Sequence, residues 1–211
     1  YIGGRLVPRL LAEAHRVRCM ARDPSRLAGR PWPGVEVVAG DALDPASLER
    51  ALAGVDAAYY LIHSLAAGER GFEERDRRAA GNFGAAAVRA GVRQVLYLGG
   101  LGERQPELSR HLRSRQETGE ALRATGAPVT EFRAAVIVGS GSISFEMIRY
   151  LTERVPVMVT PRWVSTRCQP IAVRDVLDYL VAALGRPEAV GRVVEIGGPA
   201  VLTYGDMMLG Y

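Results

Sequence analysis

The sequence predicts an α/β fold: a doubly wound, mostly parallel sheet with helices on both faces and a small C-terminal portion beyond it. Three observations predict it. Short apolar runs alternate with helical patterns along the chain, and strand–helix alternation with short loops builds right-handed βαβ units. The apolar runs are nearly continuous, as in "QVLYLGG" and "AAYYLI", which suits strands buried on both faces. No repeat, low-complexity segment or linker divides the 211 residues, a length that fits one domain with its own core.

The elements follow in order. "LVPRLLAEA" has helical periodicity and "RVRCMA" reads as a strand, with Asp23-Pro24 after it as N-cap and first helical residue. "GVEVVAG" is a strand, and "DPASLERALAG" is a helix capped by Asp44, with Pro45 behind it, and closed by Gly54. "DAAYYLIHS" is a strand, "FEERDRRAAGNFGAAAVRAG" a long helix and "VRQVLYLGG" a strand. Helix "HLRSRQETGEALRATG" and strand "PVTEFRAAVIVG" come next. The remainder holds a helix in "SFEMIRYL", an irregular stretch around "VTPRWVSTRCQPI", helix "VRDVLDYLVAAL", strand "RVVEIGG" and a final helix after Thr203.

Composition narrows the chemistry. All 27 basic residues are arginines, so a mechanism that needs a lysine amine is excluded. The net charge of +4 is modest, and arginines alternate with acids in "GERGFEERDRR" as on a solvated helix face. No basic block interleaved with aromatics points to nucleic acid. Cys19 and Cys168 are isolated thiols without metal spacing, which favours a reducing cytoplasm. His15, His63 and His111 form no ligand cluster by sequence, no metal is expected, and no apolar run reaches the length of a membrane span.

In a parallel sheet, ligands lie outside the carboxyl ends of the strands. The loops of interest therefore surround Arg22, Gly40-Asp41, His63-Ser64, Gly99–Leu101 and Ala134–Gly141. Gly3 and Gly4 stand where the last glycine of a pyrophosphate-binding turn would meet its helix, although two glycines alone also fit an ordinary helix start. About 20 residues further on, a dinucleotide fold places the residue that reads the ribose, and Arg22 occupies that place. An arginine suits the 2′-phosphate of NADP, and a charge-assisted hydrogen bond of about 1.5–3 kcal/mol is enough to set the preference. NADP(H) is therefore favoured over NAD(H).

"YIGGRLVPRLL", "ARDPSRL", "GVEVVAGDALDPASLERALAGVDAAYYL", "AAAVRAGVRQVLYLGGLG" and "GAPVTEFRAAVIVGSGS" resemble the NmrA-like atypical short-chain dehydrogenase/reductases. "YYLIHS", "HLRSRQETGEALR", "SFEMIRYL" and "QPIAVRDVLDYL" are closest to a bacterial NAD(P)-binding subgroup. The resemblance implies a single Rossmann domain over 1–211, with substrate-side segments at about 140–170 and 199–211. It implies that Ile2, Gly3, Arg22, Asp41 and Ala42 lie along the cofactor, with Asp41 near the adenine. Leu61, Ile62 and His63 would flank the ribose and nicotinamide. In relatives a strand and T-G-A-T-G precede "YIGG", so the first strand is expected to be missing here and cofactor binding to be weak. The capped helix in "TYGDMMLGY" suggests missing sequence at that end too.

The superfamily generally uses Y-x-x-x-K on the helix after the fifth strand, with a serine at that strand's end. Here His111 and Arg115 hold the matching i and i+4 positions, and the strand ends "YLGGL", so orthodox tyrosine–lysine catalysis is excluded. Leu112, Arg115, Gly119 and Leu122 form one helical stripe, which makes Arg115 a polar intruder on an apolar face. His111 and Arg115 are the candidate catalytic pair; a snorkelling arginine and a helix-start histidine are the alternative. Asp76 falls on the apolar stripe of the long helix and needs a buried partner, such as an arginine or a loop N–H. Asn82 is expected to serve helix packing or face solvent. Met147, Trp163 and Gln169 are candidates for a substrate pocket, or equally for the core.

The function expected is an NADP(H)-dependent reductase for a small organic substrate. A non-catalytic NADP(H) sensor is the alternative, and a homodimer contact or a regulatory protein partner stays open.

Overall fold

The computed structural model describes residues 1–63, 71–102, 109–154 and 162–210. The chain opens on α1 (Ile2–Ala12), which buries Leu6, Val7 and Leu10. Next, β1 (Arg18–Ala21) and β2 (Glu36–Ala39) pair in parallel, Arg18 opposite Glu36 and Ala21 opposite Ala39. Four further strands, β3 (Ala57–Tyr60), β4 (Gln94–Gly100), β5 (Val129–Ala134) and β9 (Val193–Ile196), form a parallel sheet in that order. Between them run α2 (Pro45–Leu52), α3 (Phe72–Arg89), α4 (Arg110–Ala124), α5 (Ile143–Arg154) and α6 (Val173–Ala182), and α7 (Tyr204–Leu209) comes after β9. Two short pairs complete the C-terminal part: β6 (Ile137–Val138) lies parallel to β8 (Ile171–Ala172), and β7 (Arg167–Cys168) antiparallel to β10 (Leu202–Thr203).

Local chemistry accounts for the boundaries. Asp44 caps α2 by accepting from Ala46 N–H at 3.1 Å, and Gly54 ends that segment at φ 69°, where a Cβ would be strained. Thr203 and Asp206 form a reciprocal capping box at α7. Asp23 also caps as expected, but the segment it caps, Pro24–Leu27, is a 3₁₀ turn rather than an α-helix.

The expected strands were longer than the observed ones. β3 stops at Tyr60, its last paired residue, opposite Tyr97. "PVTEFRAAVIVG" divides because β5 is held between β4 and β9, whereas Ile137 and Val138 turn to β8. The irregular stretch contains a 3₁₀ turn at Arg162–Ser165 and then β7 and β8; its opening "VTP" lies outside the described residues.

The parallel strands occupy two pieces instead of one continuous sheet. Among the described residues, β1 has no neighbour on the side away from β2, nor β3 on the side away from β4.

Period-two alternation gives each face of the larger sheet its own core. On one face Val95 and Tyr97 of β4 pack with Leu48, Leu52, Ala80, Phe83, Ala87 and Leu122 from α2, α3 and α4. On the other, Leu96 and Leu98 pack with Leu6 and Leu10 of α1 and with Val176, Leu177 and Leu180 of α6. This is helix cover on both faces. Beneath α4, Glu131 is 1% exposed and ion-paired with Arg123 and Arg133. Gly119 lets the helix approach that carboxylate, since a Cβ there would lie 2.5 Å from Glu131 Oε2.

Candidate functional site

In the β1–β2 pair and in the β3–β4–β5–β9 sheet the strands are parallel, so the segments that follow them leave from the carboxyl edge. Arg22 follows β1, Asp41 and Ala42 follow β2, and Leu61–His63 follow β3. Gly3 lies in the first turn of α1, where a Cβ would sit 3.7 Å from Leu61 Cδ1, so α1 and the segment after β3 approach closely. Among the described residues no side chain caps α1, and the first-turn N–H groups of a helix can receive an anion. Ile2 and Leu61 pack against the core cluster on the α1 side, and Ile62 against the other. Arg22 is exposed.

The loop after β2 is built more firmly than its sequence suggests. Asp41 N–H donates to Ser47 Oγ at 3.0 Å, and Asp41 Oδ1 accepts from Leu43 N–H at 2.9 Å. Asn82 Nδ2 donates to the carbonyl of the buried Ala42 at 3.1 Å. Asn82 therefore anchors this loop to α3, a role beyond the helix packing or solvent exposure expected of it.

After β3 and β4 the structure gathers polar groups that lie far apart in sequence. The rings of His63 and His111 stand edge to face with centroids 4.8 Å apart. His63 Nδ1 is 3.6 Å from Asp76 Oδ2, and Ser114 Oγ donates to the same oxygen at 3.4 Å. Among the described residues the partners of Asp76 are thus a histidine and a serine, in place of the arginine or loop N–H expected. Arg115 Nη2 donates to the Leu98 carbonyl, its guanidinium lies 5.2 Å from the Tyr97 ring centroid, and Tyr97 Oη donates to the Arg115 carbonyl at 2.7 Å. Arg115 is held against the end of β4.

The electrostatics arise from this crowding. Burial, then Arg115 and then His111, lower the His63 pKa to about 4, against a smaller opposing pull from Asp76. His111 keeps an edge in solvent, yet partial burial and Arg115 lower its pKa as well. Both imidazoles are neutral near pH 7. Burial raises the pKa of Tyr60 and of Tyr97, so neither phenol replaces the absent tyrosine as an acid.

The structure places the three candidate pocket residues in different surroundings. Gln169 Nε2 donates to the Gly198 carbonyl at 2.6 Å, Trp163 stands edge to face with Tyr204 at 5.4 Å, and Met147 is 45% exposed. A depression of about 310 Å³ lies elsewhere, at the C-terminal ends of α1 and α6, lined by Arg9, Glu13, Asp178 and Arg186 among others. Among the described residues no cluster of three or more His, Cys, Asp or Glu could hold a metal, and no helix is long and apolar enough to cross a membrane.

Residues 1–141 match the NAD(P)H-binding family. The chain belongs to that family. It is 34% identical over 207 residues to the (4-alkanoyl-5-oxo-2,5-dihydrofuran-3-yl)methyl phosphate reductase of Streptomyces griseus, covering 95% of this chain and 66% of that protein. It is 30% identical over 189 residues to the ceramide reductase of Caulobacter vibrioides, covering 89% of this chain and 59% of that one. The chain thus spans about two thirds or less of these relatives' lengths. Triphenylmethane reductase of Citrobacter sp., solved with NADP(H), has the same fold, with a TM-score of 0.77 at 21% identity over 98% of this chain and 70% of that one. The family and the α/β fold agree with the sequence reading, and the NmrA-like resemblance is consistent with both.

Proposed function

We propose that the protein is an NADP(H)-dependent reductase of the atypical short-chain dehydrogenase class, acting on a small organic substrate. The observation that carries this reading is the convergence of His63, Asp76, His111 and Arg115 beside the segments that suit a dinucleotide. Ile2 and Gly3 would receive the pyrophosphate at the open end of α1, Arg22 the 2′-phosphate, Asp41 and Ala42 the adenosine, and Leu61–His63 the nicotinamide ribose. The residues fit the group: among the described residues no side chain occupies the N-terminal end of α1, and Arg22 is exposed at the end of β1. When bound, NADPH supplies a hydride to an electrophilic carbon, whose partner atom then needs a proton.

The chain's own contribution is specific. Arg115 presents a guanidinium held on the Leu98 carbonyl, so it fixes the end of β4 and stabilises negative charge in place of exchanging a proton. His111, on the solvent edge, is the group able to pass a proton between water and the reacting atom. The two relatives bearing the word reductase support a reduction, while the substrate class is this reading's own extension. A sensor without turnover is the second reading, favoured by the engagement of Arg115 with main chain.

Fluorescence titration with NADPH and NADH, followed by a panel of carbonyl and enoyl compounds, tests the proposal. NADPH consumption that His111→Ala abolishes without loss of binding supports the reductase; saturable binding without turnover supports the sensor. No saturation by either nucleotide overturns both.

A further inference from the structure

His63 is the most unusual group in the site: both ring nitrogens are buried, and neither has a hydrogen-bond partner among the described residues. The Asp76 contact at 3.6 Å is too long for a hydrogen bond, but it is not neutral in effect. A carboxylate facing a ring nitrogen at that distance repels a lone pair and attracts an N–H. Asp76 is itself buried at 4% exposure, so the interaction is poorly screened, and Ser114 steadies the same oxygen from α4.

We propose that Asp76 and Ser114 are positioning residues that hold His63 as its Nδ1–H tautomer, leaving Nε2 as a buried acceptor for a hydroxyl of the bound dinucleotide. This rests on the cofactor reading above. The groups facing the ring are Asp76 from α3 and His111 and Arg115 from α4. The two from α4 disfavour the imidazolium, and Asp76 orients the neutral ring. Burial acts in the same direction as His111 and Arg115, so His63 stays neutral through the physiological range. A neutral acceptor at Nε2 suits a hydroxyl donor and leaves proton delivery to His111. The buried, unpartnered nitrogen then has a purpose, since an acceptor without a donor costs stability and is satisfied once the ligand is bound.

Nitrogen-15 NMR of the three histidine side chains tests this on the whole chain at neutral pH, with His15, which lies beyond the far end of α1, as internal reference. The wild-type protein is expected to show His63 as Nδ1–H, and Asp76→Asn to shift it toward the Nε2–H form that a free histidine side chain prefers. Ser114→Ala, a milder change should Asp76→Asn fail to fold, is expected to produce a partial shift. Added NADPH is expected to move the wild-type Nε2 signal in the direction of an accepted hydrogen bond. A wild-type Nε2–H tautomer, or an unchanged tautomer in both variants, overturns the positioning role. An Nε2 signal that ignores NADPH while other resonances respond overturns the acceptor role. If nothing in the spectrum responds to NADPH, the cofactor reading fails instead, and the tautomer in the free protein still decides the roles of Asp76 and Ser114.

Discussion

Replacing His63 by Asn should remove a specific acid sensitivity of the fold. The imidazole has a pKa of about 4 in the folded protein against 6.5 for the ordinary side chain, and its side chain is only 16% exposed. Between those values the unfolded chain binds a proton at His63 that the folded chain does not, so stability falls as pH drops through this window and levels off below it. At 1.36 kcal/mol per pKa unit the full loss is about 3 kcal/mol, of which about 2 kcal/mol is gone by about pH 5. That is a large share of the 5–15 kcal/mol typical of a domain. Urea unfolding of wild type and His63→Asn at about pH 7.5 and about pH 5 measures it, because the carboxylates common to both proteins cancel in the difference. The wild type should lose about 2 kcal/mol more than the variant between the two conditions. Parallel losses in the two proteins would refute the buried, neutral imidazole from which this magnitude is worked.

Three other perturbations probe separate parts of the structure. Arg22→Ala should weaken NADPH about ten- to a hundredfold and NADH much less; equal losses for the two nucleotides would remove the 2′-phosphate assignment. Asn82→Ala deletes the bond to the Ala42 carbonyl and should cost about 1 kcal/mol of stability, together with weaker nucleotide binding through a looser loop; unchanged binding would show that the loop needs no anchor. Gly119→Ala places a methyl against Glu131 and should destabilise by about 1–3 kcal/mol, read as a lower unfolding midpoint.

The scaffold could be read from punctuation and periodicity. Asp44, Gly54 and Thr203 mark their helix ends by side-chain and backbone chemistry that operates within a few residues, and the continuous apolar run of β4 marks a strand buried on both faces. Strand lengths were less legible, because "DAAYYLIHS" ends where its partner β4 ceases to pair with it, a tertiary event. The site was legible in position and not in contacts. Asp76 announced itself as a buried carboxylate that needed a partner, yet His63 and Ser114 come from other segments. The meeting of His63 with His111 depends on how the segment after β3 and the start of α4 leave neighbouring strands, and no local pattern encodes that. Arg115 was found as an intruder on an apolar stripe, while its bond to Leu98 depends on where β4 ends.

The central claim is that the dinucleotide lies along the carboxyl ends of the strands. Backbone amide NMR during a titration with NADPH tests it most directly, and it detects weak binding as readily as strong. Saturable shifts are predicted at Ile2 and Gly3, Arg22, Asp41 and Ala42, and Leu61 to His63, with little change near Arg9, Asp178 and Arg186. Shifts concentrated instead in that opposite depression, or none up to millimolar NADPH, would contradict the account.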